Sequence, residues 1–268
     1  MVNTPLLLLK AAHAGPALAV TLVTGLLAVS AGHGLRSGAL LVLAILAGQL
    51  VIGWSNDLLD ARRDRAVQRA DKPLATGELS QSVVRSALAA AAVACVVLSL
   101  LLGWRAGLTH LVLGVGSGLA YNLGVKSTFW SWVPYCVAFG VLPGIVTLAL
   151  PTPVLPELWM VLAGALLGVG AHLVNVLPDL EDDAATGVRG LPHRLGRRAA
   201  QVTATVVLVV ASIVAVTGSS WPPGRAGLAA LALTFVLAVV AVRGTGRTPF
   251  NAAMAIALVD VAMLAAFS

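Results

Sequence analysis

Asn56, Asp60 and Asp64 stand four residues apart at the end of an apolar run, in the stretch Trp54-Ser55-Asn56-Asp57-Leu58-Leu59-Asp60-Ala61-Arg62-Arg63-Asp64. On a helix this spacing stacks their side chains on one face, a turn apart. The three carboxylates, counting Asp57, repel one another unless a cation lies among them. A hard divalent ion such as Mg²⁺ meets that need. The spacing returns at Asn175, Asp179 and Asp183, again after an apolar run. Basic residues are interleaved with both stretches: Arg62, Arg63, Arg69, Lys72, Lys126, Arg189 and Arg194. Mg²⁺ prefers one or two carboxylates, with phosphate oxygens and water completing its shell. The pattern therefore suits a ligand with a diphosphate head, and the flanking apolar helices suit a greasy tail.

The elements that position these residues are membrane helices. Of 268 residues, 59% are hydrophobic and only 10% are charged, against roughly 25% charged in a soluble domain. Mean hydropathy is +0.95. Such a chain cannot cover itself with polar surface in water. Ala, Leu, Val and Gly dominate, which fits helical spans better than alternating strands. The net charge of +6 reads as loop charges that set topology, so no nucleic-acid partner is expected. Cys95 and Cys136 both lie in apolar segments, where neither a disulfide nor a thiol nucleophile is indicated. The first apolar segment reads as a retained span rather than a cleaved signal.

Nine spans are expected, near 14–30, 39–60, 83–102, 108–122, 132–150, 158–177, 199–216, 226–242 and 250–267. Met1–Lys10 is a short lead-in. Tight turns are expected at 103–107 and 151–156, and polar loops at 61–80 and 178–197. With the N-terminus inside, cytoplasmic segments hold 14 basic residues and outside turns hold 3, Arg36, Arg105 and Arg225; together these are all 17. That asymmetry supports a cytoplasmic N-terminus and puts both acidic motifs on the cytoplasmic side. An internal repeat accompanies it. From Asn56 and from Asn175 alike, carboxylates follow at +4 and +8, proline at +17 (Pro73, Pro192) and glycine at +21 (Gly77, Gly196). The two acidic helix ends would then face each other across a pseudo-symmetric interface.

These residues resemble a known family. Asn56-Asp57-Leu58-Leu59-Asp60-Ala61-Arg62-Arg63-Asp64 matches the NDxxDxxxD motif of the UbiA superfamily of membrane prenyltransferases. Asp71-Lys72-Pro73-Leu74-Ala75-Thr76-Gly77 resembles its R-P-L-x-S-G loop, with Lys for Arg and Thr for Ser. Tyr121-Asn122 followed by Lys126 resembles its tyrosine/lysine segment, and Asn175-x3-Asp179-x3-Asp183 its second acidic motif. The likeness covers the whole chain by order and span count. It implies one all-α integral-membrane domain over 1–268, a nine-helix bundle with a pseudo-repeat and a central cavity open to cytoplasm and lipid. Its motif segments would be 54–80 and 175–197, and its place the cell membrane. It implies two Mg²⁺ ions, one served by Asn56, Asp60 and Asp64 and one by Asn175, Asp179 and Asp183. Lys126 and Tyr121 would contact the diphosphate, with Arg62 and Lys72 beside them and Arg189 from the second loop. Asp60, Asp64, Asp179, Asp183 and Lys126 are the catalytic set that it implies.

The implied partners are an isoprenyl diphosphate, a hydrophobic acceptor and membrane lipid. Metals and cations would stabilise charge on the leaving diphosphate, and a nucleophile would capture the allylic cation in a dry pocket. The superfamily also holds terpene cyclases, in which the cation is captured by its own distal alkene. A non-enzymatic cation-binding transporter is the third reading; its carboxylates would more often lie near midspan. Span 1 lacks the arginine that aromatic-acid members carry there, and Lys10 and His13 are its nearest polar residues. That argues against a 4-hydroxybenzoate-type acceptor. Gln49, Asn122 and His172 are pocket candidates, the first and last because they share a helical face with Asn56 and Asn175. Trp54 points elsewhere and reads as helix packing. Asp260 stands isolated in the last span.

Overall fold

The computed structural model describes residues 4–185, 187–219, 222–244 and 247–267; the first three residues of the expected lead-in lie outside them. It is all-helical among the described residues. Helix α1 (Thr4–Ala11) meets α2 (Ala14–Ser30) at a bend of 75°. His13, at the bend, takes the left-handed conformation with φ 54°. Helix α3 (Leu35–Ala66) is 32 residues long. It overruns the loop expected from residue 61. Arg63 pairs with Asp60 one turn back, at 2.8 Å, and Arg63 and Arg65 lie in the last turn, where cations favour the helix dipole. The helix that ends beyond the motif therefore holds Asn56, Asp60 and Asp64 rigidly on one face.

Short α4 (Pro73–Thr76) and α5 (Gln81–Leu101) follow. Only Gly103, with φ 97°, forms the expected turn at 103–107. Gly107 is already helical, and a Cβ there would lie 2.4 Å from the Ser99 carbonyl oxygen, so glycine permits the close approach of α5. The segment from Trp104 to Asn122 is helical throughout: α6 (Trp104–Leu108), a π-helical stretch (Thr109–Val115) and α7 (Gly116–Asn122). Two 3₁₀ turns, Val125–Ser127 and Phe129–Trp132, lead into α8 (Val133–Gly140) and α9 (Leu142–Leu148). Pro143 has no N–H to continue α8, and the chain breaks at Val141.

Helix α10 (Leu158–Val176) stops earlier than the second motif requires. Pro178 interrupts it, and Asp179 and Asp183 sit in the turn and in α11 (Leu180–Ala185). The second motif is thus not one continuous helical face, which corrects the reading from spacing. Helices α12 (Leu191–Leu195), α13 (Arg197–Ser219), α14 (Arg225–Arg243) and α15 (Thr248–Phe267) complete the chain.

Among the described residues seven helical stretches are long and apolar enough to cross a membrane, Phe129–Leu148 counted as one, or up to eight if α1 and α2 form one span. Large side chains such as Leu22, Val93, Leu101, Val112, Val236 and Leu258 face outward, as lipid contact allows. Leu27, Leu41, Ile145, Val146 and Val216 form the interior at one end, and Ala11, Ala12, Val51, Trp54 and Leu74 that around the first motif. Helix packing without a hydrophobic drive depends on close fit. A Cβ on Gly53 would lie 2.3 Å from the Ala12 carbonyl oxygen, so glycine lets α3 seat against the α1–α2 bend. Trp54 donates to the Leu8 carbonyl at 2.9 Å, the packing role expected of it.

Candidate active site

A cavity of about 290 Å³ lies among α2, α3, the 104–122 segment, α8, α9 and the α10–α11 junction. Asn56, Asp60 and Asp64 line it from one side, and Asn175, Asp179 and Asp183 from the other. Both acidic motifs therefore face one space. Lys126, Lys72, Arg63 and Arg69 line the same end, while Val20, Ile45, Phe139, Leu142 and Ile145 give the cavity an apolar remainder.

Asp60 is bonded on both oxygens. Lys126 Nζ donates to both of its oxygens, at 2.7 and 2.6 Å. Arg63 Nη2 lies 2.8 Å from Oδ2, and Asn56 Nδ2 donates to the same oxygen at 3.2 Å. The Lys126 turn is fixed from outside the cavity. Gly124 enters it with φ 141°, and Gly190 packs so closely that a Cβ would lie 2.6 Å from the Lys126 carbonyl oxygen and 2.7 Å from Ser131 Oγ. Asn122 lines the cavity and spends its amide on α3, donating to the Ile52 carbonyl at 2.9 Å and to Ser55 Oγ at 2.8 Å. That ties α7 to the helix bearing the first motif.

Asp57 is buried and serves a different group. Lys72 Nζ donates to its Oδ1 at 2.6 Å and to His13 Nε2 at 2.7 Å, with His13 Nε2 itself 3.2 Å from the carboxylate. This trio links α2, α3 and the loop beyond, and it places Lys72 and His13 on the cavity wall. Arg69 donates to the Asp71 carboxylate at 2.8 and 2.9 Å and lies 3.6 Å from Asp179 Oδ1. The loop after the first motif thereby touches the second. The Arg69 hydrogen bond holds the Asp71 carboxyl down at about 2, and the same pairing raises the Arg69 guanidinium. Asp183 is pushed above the ordinary carboxylate value. Burial is the largest cause, Arg63 and Lys126 oppose it, and the charges of Asp179 and Asp60 add to it. A carboxylate shifted this way gains from a neighbouring cation.

Two tyrosines meet edge to face in the cavity wall, Tyr121 and Tyr135, with centroids 5.3 Å apart. The Tyr135 hydroxyl accepts from Asn175 Nδ2 at 3.4 Å. His172 is not on the cavity. It is buried behind both rings, 5.8 Å from Tyr121 and 5.0 Å from Tyr135, and hydrogen-bonds Ser131 Oγ at 3.0 Å. Gln49 does line the cavity. Arg62 and Arg189 are exposed and do not. Arg62 lies two residues from Asp60 and from Asp64, which turns it to the opposite side of α3; Arg63 and Arg69 stand where it was expected. Tyr135, His13 and His110 are lining residues that sequence spacing does not single out. Asp260 lies away from this cavity, buried, accepting a hydrogen bond from Ser212.

The donor set fits Mg²⁺. Its six motif side chains offer only hard oxygens and amides, and no thiol lines the cavity. Among the described residues no three His, Cys, Asp or Glu side chains close around a point. An ion held by one or two carboxylates, with phosphate oxygens and water, needs no such closure.

Comparison with known proteins accords with this geometry. The sequence model described as the UbiA prenyltransferase family matches residues 17–259. The chain belongs to that family. A relative from Cereibacter sphaeroides, the bacteriochlorophyll synthase 33 kDa chain, is 34% identical over 187 residues, which are 65% of this chain and 60% of that protein. The match thus spans less than two thirds of the relative's length. Among solved structures, a UbiA homologue from Aeropyrum pernix K1 superposes with a TM-score of 0.72 at 16% identity, covering 98% of each chain. A UbiA homologue from Archaeoglobus fulgidus bound to GPP and Mg²⁺ gives 0.71 at 15% identity, covering 97% of this chain and 99% of that one. The UbiA fold therefore extends over nearly the whole length.

Proposed function

We propose that this chain is a Mg²⁺-dependent prenyltransferase that moves an isoprenyl group from its diphosphate to a hydrophobic acceptor in the membrane. The observation that carries the proposal is the cavity whose one end gathers both acidic motifs with four cationic side chains, while the rest is mostly apolar. Asn56, Asp60 and Asp64 would hold one ion, and Asn175, Asp179 and Asp183 a second. Bound Mg²⁺ supplies Lewis-acid stabilisation of the leaving diphosphate.

The chain's own residues do the rest. Lys126, Arg63, Lys72 and Arg69 offer donors aimed into the site, preorganised by their partners Asp60, Asp57 and Asp71. Donors fixed in advance need no reorganisation as charge develops on the leaving group. Tyr121 and Tyr135 present rings to the space beside the motifs, where an allylic cation gains from π-faces. Apolar side chains below exclude water, so the cation reaches the acceptor rather than solvent. The likeness to a bacteriochlorophyll synthase chain favours transfer over cyclisation.

The same reading has one membrane domain over 1–268 with nine spans, pseudo-repeated halves, a cytoplasmic N-terminus and a site open to cytoplasm and lipid in the cell membrane. The 14-to-3 distribution of basic residues supports the orientation. Local geometry supports the repeat in part: Pro73 and Pro192 each lie in the first turn of a short helix that Gly77 or Gly196 follows, although the two glycines differ in ψ, 3° against 160°.

The test gives detergent-purified protein farnesyl and geranylgeranyl diphosphate with Mg²⁺, with and without membrane-lipid and aromatic acceptors. Diphosphate release that needs an acceptor, and that Asp60→Asn abolishes, is the expected result. A cyclic hydrocarbon or alcohol formed without acceptor would replace transfer by cyclisation. No consumption under any condition would remove both enzyme readings.

A further inference from the structure

His13 stands at the 75° bend between α1 and α2 and lines the cavity. Its backbone is left-handed, with φ 54° and ψ 55°. Most side chains avoid that conformation, and it persists where neighbours over-determine it. Those neighbours are on α3. The Ala12 carbonyl seats on Gly53, where a Cβ would lie 2.3 Å from its oxygen. Asp57 follows Gly53 by four residues of α3 and so stands on the same face, one turn on. The bend thus brings the His13 ring to Asp57, with Nε2 3.2 Å from Oδ1.

Lys72 fixes what Nε2 does there. Lys72 Nζ lies 2.7 Å from His13 Nε2 and 2.6 Å from Asp57 Oδ1. An ammonium group has only hydrogens to offer, so Nε2 accepts and the ring hydrogen is on Nδ1. Nε2 and Oδ1 are then two acceptors around one ammonium group, not a bonded pair. Two of its three hydrogens are used in this way, and the third has no partner among the described residues. Lys72 itself lines the polar end of the cavity.

Asp57 alone does not hold the ammonium group at the cavity. The Asp57 side chain is 1% exposed, and its Oδ2 is buried with no hydrogen-bond partner among the described residues. A buried carboxylate oxygen left unpaired is costly. It draws the ammonium group inward, to a bridging position like that of Lys126 across both oxygens of Asp60. The flexible lysine stem permits that move. His13 opposes it, because His13 lines the cavity and Asp57 does not, so Nε2 accepts on the cavity side. We infer that His13 is a positioning residue of the diphosphate site, which holds Lys72 outward from Asp57 so that the third ammonium hydrogen is offered to the diphosphate. This rests on the proposed function, which puts the diphosphate at the polar end. Without the imidazole the ammonium group turns to Oδ2, and one preorganised donor is withdrawn.

His13→Leu and His13→Gln test this as a pair. Both put an ordinary side chain on the same left-handed backbone, so strain at the bend is common to both. Only glutamine carries an acceptor, its Oε1, near the reach of Nε2. Purified protein is titrated with unreactive farnesyl and geranylgeranyl thiodiphosphate in the presence of Mg²⁺. Diphosphate release is measured on the same preparations with the reactive diphosphates and a lipid acceptor. His13→Leu is expected to weaken analogue binding by about tenfold and to slow release, and His13→Gln to restore most of both. A role exerted through Lys72 has a further consequence. In a background of Asp57→Asn with Lys72→Met, His13→Leu is expected to change nothing more. Equal behaviour of His13→Leu and His13→Gln overturns the inference, and so does a loss of binding that persists in that background. If the background does not fold, the difference in binding between His13→Leu and His13→Gln decides. If the wild type binds the analogues but releases no diphosphate, the proposed transfer fails while the binding comparison still decides the role of His13. If the wild type does neither, both fall together.

Discussion

Lys126 and Asp60 show how a single contact arranges this site. The ammonium group touches both carboxylate oxygens at 2.7 and 2.6 Å, and both side chains are nearly buried. A cation so placed serves two ends: it neutralises Asp60 before a ligand arrives, and it stands ready beside a leaving diphosphate. Arg63 and Asn56 also bond Asp60, so Lys126→Met leaves the carboxylate two partners and the helix intact. Removing one preorganised donor costs about 10²–10³ in kcat. Lys126→Met should therefore lower the initial rate of diphosphate release by about that factor, with circular dichroism unchanged. A wild-type rate would take Lys126 out of the site. The spacing singles out Asp60 and Asp64 and the family resemblance singles out Lys126, and all three line the cavity. Spacing does not separate Arg62 from Arg63 or Arg69. Arginines in a basic run look alike until helix phase turns Arg62 outward and the loop swings Arg69 to Asp179.

At the scale of elements, the two acidic motifs reach the cavity by different routes. The first rides a helix that runs on to Ala66; the second crosses a break at Pro178. The offsets are equal because they are counted along the chain, whereas the break depends on the missing N–H of one proline. The expected loop at 61–80 is short for a related reason. Pairing between neighbouring charges keeps the helix intact past residue 60, and apolar periodicity does not register that. The second polar segment also has a structural task. Gly190 lies against the Lys126 turn, and a Cβ there would meet the Lys126 carbonyl oxygen and Ser131 Oγ at 2.6 and 2.7 Å. Gly190→Ala should therefore destabilise the protein by about 1–3 kcal/mol, as overpacking does. Turnover should fall as well, since the displaced backbone carries Lys126. Thermal unfolding and initial rates, measured on the same preparation, check both. A normal Tm together with a normal rate would show that the loop does not hold the turn.

At the scale of the whole molecule, the meeting of the motifs constrains the topology. Arg69, just beyond α3, lies 3.6 Å from Asp179, just beyond α10. Two polar segments that touch lie on one face of the membrane, so an even number of crossings must separate them. Between Ala66 and Leu177 three helical spans meet the usual length and hydropathy, Gln81–Leu101, Phe129–Leu148 and Leu158–Val176. Three is odd. On the proposed nine-span reading the fourth crossing is Trp104–Asn122, whose π-helical stretch divides it into pieces each too short to qualify alone. The hydropathy of the sequence already marks this segment as a span, because composition is blind to a change of helix type. With α1 and α2 taken as one bent crossing as well, that reading reaches its total of nine. Labelling tests the count. In a chain whose Cys95 and Cys136 are replaced by alanine, single cysteines at Glu78, Glu181, Arg105 and Arg225 would be exposed to a membrane-impermeant maleimide. Nine spans require Glu78→Cys and Glu181→Cys to react from the cytoplasmic face only, and Arg105→Cys and Arg225→Cys from the opposite face only. If Trp104–Asn122 does not cross, Glu78→Cys and Glu181→Cys react from opposite faces. No single cavity could then be lined by both motifs.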